Sequence, residues 1–243
     1  MNRRLYISIF TTLLFFGSIA ITAPGSAQVA KEVEASFKEA QHPAFQITYE
    51  YPKDIVKEAL EQKLEADQID TKRKHRIITA KGCVYPQLSK EKLDFYFQIE
   101  KEKRKVTTLT LFISKGYTNF ISSKTNPHIA QNALTYLNRF KSNVQYYDLQ
   151  EKIDEKKEDI EKVKKDAKKL SENKDKLLSK LKEQKDIPKT ATEKETKKAN
   201  KKIKKYNRKL NRTRKKMQKT EEKRQELNTT LKVLNSKQAS LHL

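Results

Sequence analysis

The stretch LQEKIDEKKEDIEKVKKDAKKLSENKDKLLSKL (149–181) decides the architecture. Within it Leu149, Ile153, Lys156, Ile160, Val163, Ala167, Leu170, Lys174, Leu177 and Leu181 recur in alternating steps of four and three. That spacing lines side chains along one seam of a slightly underwound helix. A second tract, ANKKIKKYNRKLNRTRKKMQKTEEKRQELNTTLKVL (199–234), repeats it at Ala199, Ile203, Tyr206, Leu210, Thr213, Met217, Thr220, Arg224, Leu227, Leu231 and Leu234. Pro188 stands between them, where a helix would lose a hydrogen bond and Ile187 is steered away from helical geometry. Folding the chain back at Thr190 sets Leu181 against Ala199, Leu170 against Leu210, Ile153 against Leu227 and Leu149 against Leu231. The tracts therefore predict an antiparallel coiled-coil hairpin over 143–243 with its turn near 187–191. Two independent charged helices, or a parallel oligomeric coil, are the competing arrangements.

The same fold-back puts Lys156 opposite Arg224, Lys174 opposite Tyr206, and Ala167 opposite Thr213. Facing basic side chains weaken a layer, although their long stems can carry the charges outward. A lysine over the Tyr206 ring would recover about 0.5–1 kcal/mol. The seam thus predicts a hairpin of moderate stability.

Upstream, Phe45, Ile47, Tyr49 and Tyr51 alternate with polar residues, the period of a strand with one buried face. After Pro52, the residues Ile55, Val56, Ala59, Leu60 and Leu64 form a helical stripe. A strand is expected over Arg76–Ala80, resuming at Cys83–Tyr85. Leu93, Phe95, Phe97 and Ile99 alternate, the charged turn 101–105 reverses the chain, and Val106–Ser114 returns it. Asn126 and Pro127 then offer an N-cap and an N1 proline. From Pro127 nothing stops a helix before Pro188, a span of roughly 90 Å at 1.5 Å per residue. Thr190 or Thr192 can cap the returning helix, whose end is expected beside Arg139. The fold class is α+β: a small β-α-β-β-β-α domain (45–142) followed by the hairpin. Residues 28–44 read as a helical or disordered lead-in.

The first 27 residues read as a secretory signal. Arg3 and Arg4 form a positive start, Leu5–Ala20 is a mainly apolar run, and Gly25-Ser26-Ala27 offers small residues for cleavage before Gln28. An uncleaved anchor is the rival reading, and no later stretch approaches the ~20 apolar residues of a membrane span. The single Cys83 excludes an internal disulfide and reads as a small packed residue at a strand end.

Gly is only 4 of 243 residues and charged residues are 35%, a profile of long solvated helices. The formal charge of +23 is unevenly spread. Residues 149–187 hold 13 basic and 11 acidic side chains, whereas 188–243 hold 19 against 5. From Lys197 to Lys219 there are 13 basic residues and no acidic one. Such a run attracts polyanions by counterion release and long-range steering. Lys201, Lys205, Arg208, Arg212 and Lys215 lie off the seam and are the candidate binding positions. The partners this implies are an acidic envelope polymer, an anionic lipid or an acidic protein, with self-association open. Export argues against nucleic acid. The competing reading is an ordinary solvated helix exterior.

Catalytic chemistry has no recognisable carrier in the sequence. His42, His75, His128 and His242 lie in unrelated segments without metal-ligand spacing, and there is no phosphate loop, nucleophile elbow or Cys-x-x-Cys. No cofactor is implied. An enzyme would need a pocket beside the sheet, with Tyr117, Asn119 and His128 as its first candidates.

Tyr51-Pro52, the strand Leu93-Asp94-Phe95-Tyr96-Phe97, and Ser114-Lys115-Gly116 before Asn119-Phe120-Ile121 lie within a segment, Phe45–Phe140, that resembles uncharacterised exported coiled-coil proteins of Bacteroidota. That resemblance implies no defined activity. In physical type the chain also resembles the Skp/OmpH periplasmic chaperones, which are exported, basic and built from a small β core with helical-hairpin arms. In that family a strand after the hairpin completes the core, whereas this chain ends about where its second arm finishes. Trimerisation and client binding therefore do not carry over. The sequence points to an exported, non-enzymatic binding or scaffold protein of the cell envelope. A Skp-like holdase is the alternative.

Overall fold

A computed structural model describes residues 29–116, 119–186, 188 and 190–241. It is mixed α+β, a six-stranded antiparallel sheet joined to long helices. The strands are β1 (Lys31–Phe37), β2 (Ala40–Tyr49), β3 (Lys72–Lys74), β4 (Ile77–Tyr85), β5 (Ser89–Lys103) and β6 (Val106–Ser114). Helix α1 (Lys53–Ala66) follows β2, and α2 (Pro127–Lys185) and α3 (Glu193–Ala239) follow the sheet. The sheet order is β1-β2-β6-β5-β4-β3. The signal reading of 1–27 lies outside the described residues.

Period-2 alternation places one set of side chains on the inner face. Phe45, Ile47, Phe95, Phe97, Leu109 and Leu111 meet Val56, Leu60 and Leu64 of α1 and Ala133, Leu137 and Phe140 of α2, all buried. Tyr49 donates from its hydroxyl to the Leu137 carbonyl at 2.8 Å, tying β2 to α2. Helix α1 closes without a glycine. Gln68 takes a positive φ of 58°, its N–H reaches the Glu65 carbonyl, and the Ile69 N–H reaches that of Leu64, each at 2.9 Å. That pair of bonds is a Schellman closure. The break expected in β4 is real: its register against β5 shifts between Ala80 and Cys83, where Gly82 has a φ of 57°.

The expected lead-in is corrected. Residues 31–37 form edge strand β1, and 40–44 are the first half of β2. Val33, Ala35 and Phe37 do alternate with polar residues, but the turn that joins the strands is Lys38-Glu39, with φ of 50° and 71°. A two-residue hairpin with both φ positive ordinarily calls for Asn-Gly, so the turn carries no familiar sequence signal. The sheet domain therefore begins near Ala30, whose N–H bonds to Asn138 Oδ1 on α2 at 2.9 Å.

The β1–β2 hairpin also bends. Pairing of β2 with β6 covers only Phe45–Tyr49, and Pro43 just before it has no N–H to donate. Beyond that point the hairpin folds over the outer face of the sheet. In a flat sheet three strand spacings would separate β1 from β5 by about 14 Å. Yet the Phe37 ring lies 4.8 Å from that of Tyr96 on β5 and 5.0 Å from that of Phe112 on β6. Phe120, arriving from the loop after β6, completes this second small core and stacks on His42 at 4.1 Å. The outer face is therefore concave, and Thr108 and Thr110 at its centre are buried.

Helices α2 (59 residues) and α3 (47 residues) pack along each other as a hairpin. Asn126 stands at the N-cap of α2, although its side chain makes no capping bond. Thr192 caps α3 through a full capping box: its Oγ accepts from the Glu195 N–H, and the Glu195 carboxylate accepts from the Thr192 N–H at 2.9 Å. Every seam position from Ala199 to Leu234 is buried or half-buried.

The register between the arms differs from the symmetric fold-back. Gln238 Nε2 donates to Gln150 Oε1 at 2.9 Å. Under the fold-back these residues would stand roughly 12 Å apart along the axis at 1.5 Å per residue, beyond direct reach of two amides. Displacing α3 by one seam step halves that offset. Leu170 and Leu177 line one groove with Tyr206 and Thr213. A displacement in this direction takes Lys156 and Arg224 out of a shared layer.

Candidate functional site

All thirteen basic residues from Lys197 to Lys219 are exposed on α3. Counted at 3.5 residues per turn from the seam, Lys201, Arg208 and Lys215 point about 180° away from α2. Lys205 and Arg212 sit about 130° round, on one flank. The five sequence-derived positions thus form one stripe roughly 21 Å long at 1.5 Å per residue.

What surrounds them differs sharply between the arms. On α2, Lys152 pairs with Asp148, Lys157 with Asp154, Lys164 with Glu161, and Lys162 with both Glu158 and Asp159. These are the three- and four-residue spacings at which helix-face charges meet. Among the described residues, only Lys197 of the α3 run has a carboxylate within ion-pair distance, Glu193 at 2.7 Å. Arginine and lysine charges close together without counter-charges raise the local potential, which an approaching anion relieves.

The hairpin also makes a groove that the sequence did not reveal. Its volume is about 440 Å³, with Lys176 and Lys180 of α2 on one wall and Lys209, Arg212 and Lys216 of α3 on the other. Tyr206, Leu170 and Leu177 form its floor. Arg212 joins this groove to the outer stripe. Reading α3 alone could not find Lys176 and Lys180, because they join the site only through the register between arms.

The remaining sequence candidates do not assemble. Asn119 and His128 are exposed on separate segments, and Tyr117 lies outside the described residues. Among the described residues there is no cluster of His, Cys, Asp or Glu able to hold a metal ion. Cys83 is half-buried in the β4 bulge, and burial pushes its thiol above the usual range, away from the reactive thiolate. Tyr96 is likewise pushed up to about 12, by burial and then by its 3.0 Å bond to Asp94. Among the described residues no helix is long and apolar enough to cross a membrane.

No protein-family model, curated protein or solved structure matches the chain.

Proposed function

We propose that this is an exported, non-enzymatic binding protein of the cell envelope whose α3 arm holds a polyanion. The observation that carries the reading is the stripe Lys201, Lys205, Arg208, Arg212 and Lys215, exposed and, among the described residues, without an ion-paired carboxylate, on a helix whose partner arm pairs several of its lysines with its own carboxylates. The sheet domain is the base from which the hairpin projects, since all six strands precede α2. An acidic envelope polymer or a surface of anionic lipid head groups offers the repeated negative charge that such a stripe matches over its length. Binding by this route is electrostatic and falls steeply with salt, because each neutralised charge releases a counterion.

Co-sedimentation of the full mature chain with lipopolysaccharide or with vesicles containing anionic lipid tests the reading. The wild-type chain should pellet at low salt and be released as salt rises. Changing all five stripe residues to Gln, a good helix former, should leave the circular dichroism unchanged and abolish pelleting. Pelleting that survives the five changes, or is absent at low salt, rejects the proposal.

A further inference from the structure

The concave outer face of the sheet opens into a groove of about 540 Å³, a volume typical of small-molecule sites. Two hairpin tips form its jaws: Ser36, Phe37 and Lys38 where β1 turns into β2, and Lys74, His75, Arg76 and Ile77 where β3 turns into β4. These come from opposite edges of the six-stranded sheet and meet only because the β1–β2 hairpin folds over. Between them lie Tyr96, Gln98 and Thr79. The inner face of the same sheet is sealed by α1 and α2, so the outer face is the one that can receive a ligand.

The lining has a definite chemistry. Phe37, Tyr96 and Ile77 give an apolar side, and Thr79 and Gln98 add hydrogen-bonding groups. Lys38, Lys74, Arg76 and Lys81 set four cations around the rim. Glu100 is the one carboxylate in the lining, and it already faces Arg76 at 3.5 Å. Lys38 holds its ammonium 5.5 Å from the Phe37 ring centre, beside the largely buried aromatic wall. Both jaws are also strained. Lys38, Glu39 and His75 have φ of 50°, 71° and 55°, a region where a side chain is disfavoured and glycine is not. Strain of this kind persists where surrounding structure holds it and gathers at ligand clamps.

We infer that this groove binds an amphipathic organic anion, an aliphatic or aromatic body on the Phe37–Tyr96–Ile77 side with a carboxylate held by the rim cations. The site is separate from the hairpin stripe, so the two can be tested apart. Octanoate is the probe and 1-octanol its uncharged counterpart, each titrated calorimetrically into the full mature chain. Octanoate should bind saturably with one site per chain, and octanol at least tenfold more weakly. Lys38→Met with Arg76→Met keeps the apolar stems and removes two charges. It should weaken octanoate at least tenfold, while the five-Gln hairpin variant should leave it unchanged. Lys38→Asn with Glu39→Gly gives the turn its preferred residues. That pair should raise the melting temperature and still weaken octanoate. The inference is overturned if octanoate does not saturate, if octanol binds equally well, if the rim variants bind as the wild type does, or if the hairpin variant alone loses binding.

Discussion

The two arms of the hairpin share one seam and differ in almost everything outside it. On α2, basic and acidic residues interleave so that several lysines find carboxylates one turn away. On α3, thirteen cations follow one another from Lys197 to Lys219 without an acid. Both arms bury the same kind of residue toward each other, Ile153, Ile160 and Val163 on one side and Ala199, Leu210 and Thr213 on the other. Folding the hairpin therefore needs the seam, and the charge asymmetry is surplus to it. A surface feature that the fold does not require is the better place to look for function than the coiled coil itself.

The shared seam is broken most severely by truncating it. Ile153→Ala and Leu210→Ala should each destabilise the hairpin by about 2–4 kcal/mol, the usual range for a buried aliphatic side chain. Urea unfolding followed by helical circular dichroism should show both arms melting together in either variant. Loss of α3 helicity with α2 intact would show that the arms do not depend on one another.

A smaller effect sharpens the register. Arg224 has its Nε buried without a hydrogen-bond partner, while its outer nitrogen pairs with Glu221 at 2.7 Å. Arg224→Leu should stabilise the hairpin by roughly 1 kcal/mol through added apolar burial. Adding Lys156→Leu should contribute independently, because the two residues occupy different layers. Cysteines at Leu170 and Thr213, in a Cys83→Ala background, should cross-link within one chain faster than cysteines at Leu170 and Leu210. The reverse order would restore the symmetric fold-back.

The smallest effect sits at the start of the charged arm. Thr192→Ala removes a helix cap and should lower stability by about 1 kcal/mol. The Glu195 carboxyl is held below its ordinary range by hydrogen bonds from the Thr192 backbone and then its side chain. Because the folded value is depressed, its contribution is present above the unfolded value near ~4.3 and is lost as pH falls below it. An acid titration of helicity should show this step in the wild type and a weaker one in Thr192→Ala.

The hairpin was legible in the sequence because a three–four repeat has one structural meaning over this length, and Pro188 marks its turn. Its register was not, because the loop from Asp186 to Thr192 need not be symmetric about Thr190. In the sheet, Phe45–Tyr49 and Leu93–Ile99 showed strand alternation directly. Strand β1 was hidden by a Lys-Glu turn in a conformation that neither residue favours. The concave face was hidden more deeply. It depends on Pro43 ending a ladder and on Phe37, Tyr96, Phe112 and Phe120 meeting from four segments, contacts that no local pattern encodes. The α3 stripe was read in full from the sequence, since it needs only helix periodicity. The groove formed with Lys176 and Lys180 was not.

The charge difference between the arms is tested most directly by the salt dependence of polyanion binding. The affinity of the full chain for lipopolysaccharide should be measured across a salt series, for the wild type and for the five-Gln variant of Lys201, Lys205, Arg208, Arg212 and Lys215. The account predicts a steep linear fall of log affinity with log salt in the wild type and a much shallower slope in the variant, because fewer counterions are released. A matched set of five Lys→Gln changes on α2, at Lys152, Lys157, Lys162, Lys164 and Lys168, should leave the slope close to that of the wild type. Equal flattening by changes on either arm would contradict the account, as would a wild-type affinity that does not respond to salt.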